Sequence, residues 1–343
     1  MKPLAIDLFS GCGGLTLGLK QAGFRVVGAV EIDPLAVKTY KANHKHVSVW
    51  EQDISKLSVS RLMEKLNLAS GQLDLLAGCP PCQGFSALRT RNGANSNRDY
   101  RNNLIREMLR FVRVLRPKAV MMENVPGLKS HIQFREFCRG LRRFGYKVDW
   151  DIKDAGKYGV PQRRKRLILL AGDNYRIPFA DESDRLRTVR DAIGQLARAG
   201  KSGDPLHDLK ENRTPDVLKL IKDIPKDGGS RLDLPEDRQL ACHKKLDGFK
   251  DIYGRMAWSE VAPTITSGCF NPSKGRFLHP KENRAITMRE AALLQSFPHD
   301  YWFPFQAGKQ AVALMIGNAL PPEFIRSHAS EIRKQLAASK SSK

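Results

Sequence analysis

The chain carries a thiol in a setting suited to nucleophilic chemistry. In GCPPCQGFS (78–86), two prolines precede Cys82 and a Gln-Gly pair follows it. Proline holds φ near about −65°, so Pro80 and Pro81 stiffen the approach to the sulfur. The run that follows, GFSALRTRNGANSNRDYRNN, is rich in Gly, Asn, Ser and Arg and reads as a movable basic loop. A rigid thiolate beside a movable cationic loop suits covalent catalysis on an anionic substrate. Two other readings stay open on the residues alone. Cys79 and Cys82 have C-x-x-C spacing, which a redox pair or half a zinc site would also show. A single cysteine is also commonly a small core residue. The prolines resist the helical turn of a redox pair, and Cys138, Cys242 and Cys269 stand singly.

Three further clusters could do chemistry. DLFSGCGGLTLGL (7–19) runs from an apolar strand through Gly11, Gly13 and Gly14 into a helical pattern. Such a turn lets a nucleotide-type ligand approach the backbone and presents the N–H groups of a helix start. Glu31, about twenty positions on, is placed for ribose hydroxyls. Asp53 is placed for an adenine amino group, or is a helix cap. The spacing is G-x-G-G and not G-x-G-x-x-G, so a dinucleotide site and a plain tight turn both remain possible here. The second cluster is ENV (123–125), where Glu123 ends an apolar strand; a carboxylate there is costly to bury without a partner or a task. The third is QRRKR (162–166), which is either a solvated charge run or a phosphate- and base-contacting segment.

The elements that must position these groups alternate. Strand-like runs at 4–9, 24–33, 46–54, 73–80, 118–125 and 166–172 are separated by helical patterns, including 104–117 and 129–144. The alternation predicts an α/β fold with a doubly wound, mostly parallel sheet. Residues 173–283 break the rhythm and read as a smaller irregular domain, with helical spacing returning from 284. The tail AASKSSK has the composition of a disordered segment. No run approaches membrane-span length and no signal peptide is apparent, so a cytoplasmic protein is expected. Of the formal net charge of +22, 86–166 carries +14, from 21 Lys/Arg against 7 Asp/Glu. That concentration predicts a polyanion partner, with phosphate contacts surrounding the nucleophile.

Taken in order, these motifs resemble the DNA (cytosine-5) methyltransferase family over nearly the whole chain. DLFSGCGG, EID, QDI, PPCQGFS, ENV, QRRKR, RAITMREAALLQSFP and GNALPP are similar to its successive motifs. The resemblance implies an AdoMet-dependent, Rossmann-like catalytic domain from 1–172 plus 284–343, with 173–283 as the target-recognition domain. It implies S-adenosyl-L-methionine at Phe9, Gly11, Gly13, Leu15, Glu31, Asp53, Pro81, Asn318 and Ala319. It implies that Cys82 adds to cytosine C6 and that Glu123 binds the exocyclic amine and N3. Arg166 would contact O2, and Arg164 would lie near the nucleophile and the DNA backbone. Candidate DNA contacts are Arg89, Arg91, Gln162, Arg163, Arg255, Asn271, Lys274 and Arg276, with no metal. The partner implied is double-stranded DNA with the target base flipped out, read by a monomer without a stable complex with its cognate restriction endonuclease. The tRNA-methylating branch shares this catalytic domain and is the alternative.

Overall fold

The computed structural model describes residues 1–81, 104–238 and 251–341. Cys82, Arg89 and Arg91 therefore lie outside the described residues. The chain divides into two compact units. One comprises Met1–Tyr158, Lys165–Glu182 and Leu320–Lys343; the other comprises Gly159–Arg164 and Ser183–Ala319. The segment 284–319, expected with the first unit, clusters with the second.

The first unit is built on a seven-stranded sheet. Its strands are β1 (Leu4–Leu8), β2 (Arg25–Glu31), β3 (Ser48–Glu51), β4 (Leu75–Gly78), β5 (Ala119–Asn124), β6 (Tyr146–Asp154) and β7 (Lys165–Asp173), in the order β3-β2-β1-β4-β5-β7-β6. β1 to β5 pair in parallel, and β7 runs antiparallel to both β5 and β6. β1, β4 and β5 are almost wholly buried, as apolar runs covered on both faces should be. The connections are α1 (Gly14–Gln21), α2 (Pro34–Asn43), α3 (Val59–Lys65), α4 (Leu104–Leu115) and α5 (Ile132–Arg143). α4 and α5 bury Met108, Phe111, Phe134 and Phe137 against Leu76, Val120, Met122 and Leu169 of one sheet face. On the other face the C-terminal helix Pro322–Ser341 packs on α1. The strand order reverses between β1 and β4, and open α/β sheets bind ligands beyond the strand ends at such a point. The Gly-rich turn leaves β1 there, and the Cys-Pro-Pro segment leaves β4.

Beneath the Gly-rich turn lies a buried polar chain. Asp7 is fully buried, and Thr16 Oγ1 donates to its Oδ2 at 2.7 Å. Since that uses the threonine's hydrogen, the Tyr40 hydroxyl donates to Thr16 Oγ1, also at 2.7 Å. His44 Nε2 lies 3.2 Å from the Gly13 carbonyl oxygen. Burial pushes the Asp7 carboxyl up from 3.8 to about 7, and burial with Lys20 nearby pushes the His44 imidazole down to about 4. The sign for Asp7 follows directly. The native state holds a proton that the unfolded chain has released, so the Asp7 contribution to stability is greatest below about pH 4 and falls as pH rises to 7. Between pH 5 and 8 the loss should be about 3 kcal/mol. Asp7→Asn should remove this dependence, leaving the variant more stable than the parent at pH 8; urea unfolding at the two pH values measures it.

The second unit has little regular structure among its described residues. Its helices are α6 (Val189–Ile193), α7 (Pro205–Asp208), α8 (Pro215–Asp223), α9 (Met288–Leu294) and α10 (Gly308–Asn318). A small core gathers Leu220, Ile221, Ile224, Leu234, Tyr253 and Leu278. Around it the backbone is tied by side chains more than by ladders, and Arg255 is the main tie. Its guanidinium is fully buried and donates to the carbonyls of Ile221, Ile224, His279 and Glu282 and to Asn283 Oδ1.

Candidate active site

The cofactor candidates are set by backbone conformation. Phe9, Gly11 and Gly13 have φ of 60°, 54° and 99°. Gly13 is the N-cap of α1, and no side chain caps that helix. A glycine at that position offers no capping side chain, a setting suited to an anionic or polar ligand at the start of α1. Gly11 N donates to Glu31 Oε2 at 2.8 Å, while Ile32 N and Asp33 N donate to Oε1 at 2.8 and 2.9 Å. Three backbone donors therefore orient the Glu31 carboxylate. Leu15 points into the core. Asp53 does cap a short 3-10 turn, accepting from Ser55 N and Oγ; these bonds hold its carboxyl below the usual range. Pro81 is half-buried at the end of the described segment.

The carboxylate at the end of β5 is held on both sides. Glu123 is 2% exposed, and Arg166 Nε lies 2.9 Å from its Oε1. The Cys79 thiol donates to Oε2 at 3.0 Å. Sheet geometry explains the meeting. β7 is antiparallel to β5 with Glu123 opposite Ile168, so Arg166, two residues along, is its diagonal neighbour on the same face. Cys79 follows β4, the parallel neighbour of β5, and its N–H donates to the Leu8 carbonyl at 3.3 Å. Asn124 of the ENV motif donates to the Pro80 carbonyl at 2.9 Å, fixing the proline that leads to Cys82. The site therefore places a buried ion pair on the strand whose next residue, Asn124, holds Pro80.

The QRRKR motif divides. Arg166 belongs to the first unit, and Gln162, Arg163 and Arg164 to the second. Arg164 is buried and donates to the carbonyls of Ile265, Gly317 and Ala319 at 3.0, 2.9 and 3.1 Å. It straps the GNALPP segment in place, and an exposed phosphate contact does not describe it. A side chain at Gly317 would lie 2.3 Å from the Ser267 nitrogen, so only glycine allows that approach. Asn318 is exposed and Ala319 half-buried beside it. Gln162 is fully buried, donates to Leu294 O and Gln295 Oε1, and accepts from Ile265 N. It is a core tie, and DNA contact does not fit its placement. Arg163 and Lys274 are exposed, as a DNA contact requires. Asn271 caps the turn Pro272–Lys274. Arg276 donates to the carbonyls of Gly228 and Arg255 and pairs with Asp251, and Arg255 is wholly interior. Neither of these two arginines presents a free fork to a base edge.

The model of the C-5 cytosine-specific DNA methylases matches residues 4–334. The chain belongs to the C-5 cytosine-specific DNA methylase family. It is 36% identical over 345 residues to the type II methylase M.HgiDII of Herpetosiphon aurantiacus, covering 96% of this chain and 95% of that one. It is 35% identical over 336 residues to the type II methyltransferase M1.HphI of Haemophilus parahaemolyticus, covering 96% and 86%. Among solved structures it resembles a protein encoded within an Escherichia coli prophage and described as a DNA modification methyltransferase, with TM-score 0.71, 26% identity and coverage of 98% and 100%. The chain is thus a DNA (cytosine-5-)-methyltransferase with the mixed, mostly parallel Rossmann-like fold expected of it. Three residues of this methylase escaped the sequence reading. C-x-x-C spacing suggests only a redox or zinc role for Cys79, yet its thiol meets a carboxylate 44 positions away. Asn124 joins two motifs through a main-chain carbonyl. Ile32, next to Glu31, is a large apolar side chain left 62% exposed.

Proposed function

We propose that this methylase transfers a methyl group from AdoMet to C5 of a cytosine flipped out of a specific duplex DNA sequence, through a covalent Cys82–C6 intermediate. The observation that carries this reading is the Glu123 carboxylate, clamped by Arg166 and Cys79 beside the segment leading to Cys82. The residues fit the cofactor: a left-handed glycine turn, a helix start without a side-chain cap, and an oriented carboxylate flanked by an exposed isoleucine. Gly11, Gly13, Glu31, Ile32 and Asp53 would hold AdoMet. Bound there, it supplies an electrophilic methyl group.

The protein's own groups do the rest. Cytosine C5 is a weak nucleophile until electron density enters the ring. Cys82 thiolate adds to C6 and makes the ring enamine-like. Glu123 holds the exocyclic amine and N3 and assists protonation there, while Arg166 steadies both Glu123 and O2. Once C5 is methylated, loss of its proton expels Cys82. The base must leave the stack first, at about a few kcal/mol, which phosphate contacts offset. The relatives named for type II systems support a role as the modification half of a restriction–modification pair.

Tritiated methyl transfer to duplex DNA and to tRNA tests the substrate. Label in DNA is expected; label in tRNA alone would overturn the reading. Glu31→Ala should weaken AdoMet binding about tenfold or more, since hydrogen bonds to a charged group are worth about 1.5–3 kcal/mol. Isothermal titration reads that loss directly, and the same Kd as the parent would remove Glu31 from the cofactor site.

A further inference from the structure

The basic stretch expected to surround the nucleophile is divided in space. α4 and α5 together hold Arg106, Arg110, Arg113, Arg135, Arg139, Arg142 and Arg143 against only Glu107 and Glu136. Both acids are already used, Glu107 by Arg110 at 2.7 Å and Glu136 by Arg106 at 2.9 Å. Arg110 turns inward and donates to the carbonyls of Ile54 and Leu57. Arg113, Arg139, Arg142 and Arg143 are exposed and have no acidic partner among the described residues. Arg106, Arg139 and Arg143 line a shallow groove between the two helices, floored by Leu109 and Gly140.

This surface is remote from the chemistry by construction. Side chains alternate along β5, and α4 and α5 cover the face that carries Val120 and Met122. Glu123 projects to the opposite face. Simpler explanations cover only part of the pattern. Arg142 and Arg143 sit in the last turn of α5 and Arg113 in that of α4, where the helix dipole favours cations. Arg139 does not, and it stands at like-charge spacing from Arg135, Arg142 and Arg143, each such pair being unfavourable by a few tenths of a kcal/mol. A solubilising surface would mix the signs. An unbalanced cationic face of this density is stable where a polyanion neutralises it.

We propose that the outer face of α4 and α5, through Arg113, Arg139, Arg142 and Arg143, holds the phosphate backbone of duplex DNA outside the target site. It gives the enzyme a second, sequence-independent grip on long DNA. Duplex DNA is the polyanion chosen because it rests on the substrate reading above.

The test uses the full chain and a triple variant, Arg139→Glu with Arg142→Glu and Arg143→Glu. A triple glutamine variant serves as a control for helix stability by thermal melting. Binding to a long random-sequence linear duplex is measured across salt concentrations. Each phosphate contact contributes about 0.9 to the slope of log affinity against log salt, so losing three should lower that slope by about 2.7. Methyl transfer to a short duplex containing the target, identified by bisulfite sequencing, should stay within about twofold of the parent. An unchanged slope on long DNA would overturn the proposal. So would a parallel loss on the short duplex, which would put these arginines at the target. If the parent methylates tRNA and not DNA, the substrate reading fails while the long-duplex slope still judges this surface.

Discussion

A Glu123→Gln variant is expected to lose about 10²- to 10⁴-fold in kcat, the range in which a positioned acid–base group contributes. The substitution keeps the shape of the side chain and removes its charge. Arg166 Nε then faces either an amide oxygen or an amide NH₂ in place of a carboxylate oxygen, and Cys79 loses its anionic acceptor. Some stability will be lost as well, because removing one partner of a buried ion pair leaves the other uncompensated, at about 3–5 kcal/mol in fully buried cases. Arg166 is 15% exposed, which moderates that figure. Chemistry and folding are separated by measuring kcat well below the melting temperature alongside AdoMet affinity. The expectation is a large fall in kcat with cofactor affinity kept within a few-fold. A variant that melts earlier yet turns over within tenfold of the parent would reduce Glu123 to a structural role.

Arg255→Ala should damage folding of the second unit before it affects any DNA contact. The guanidinium satisfies four carbonyls and one side-chain amide in a fully buried setting, and burial draws its pKa down to about 10. Removing the donors leaves several buried acceptors without partners, each costing about 1–3 kcal/mol unless water enters. A net loss of about 3–5 kcal/mol is expected, seen as a lower urea midpoint. Arg255→Lys should recover little, since a single ammonium cannot span the arc of carbonyls that the planar fork reaches. If the alanine variant keeps its urea midpoint and loses only DNA affinity, Arg255 is a DNA contact after all.

The parallel core of the sheet was legible because its strands are short apolar runs ending in glycine or acid, as LAIDLF and KAVMMENV are. β6 was not recognised as a strand. It alternates Lys147, Val148, Asp149, Trp150, Asp151 and Ile152 at the sheet edge, where Val148 and Ile152 are only half-buried and Trp150 is exposed, and its charge content masks the period. The end of β5 told where Glu123 would be, and nothing in the local sequence told what would meet it. Its two partners arrive through strand pairing, Arg166 from an antiparallel return and Cys79 from a parallel neighbour. The arginines misled in a different way. Arg164 and Arg255 read as surface cations, and each is folded inward over main-chain carbonyls. Composition carries no signal for that, because arginines are mostly exposed and only the fold shows which of them find enough carbonyls to be buried. The charge count of 86–166 pointed to a polyanion partner and could not show that its helices turn part of that charge to the far side of the sheet.

The covalent step is tested most directly by trapping. A duplex carrying 5-fluorocytosine at the target position is incubated with the enzyme and AdoMet, then denatured in detergent and resolved by mass. Fluorine at C5 cannot leave as a proton does, so the thiolate should stay bonded to C6. The account predicts a detergent-stable protein–DNA adduct for the parent, with the linkage mapped to Cys82, and none for Cys82→Ser. Methylation of ordinary DNA by a parent enzyme that forms no adduct, or an adduct that persists in Cys82→Ser, would contradict it.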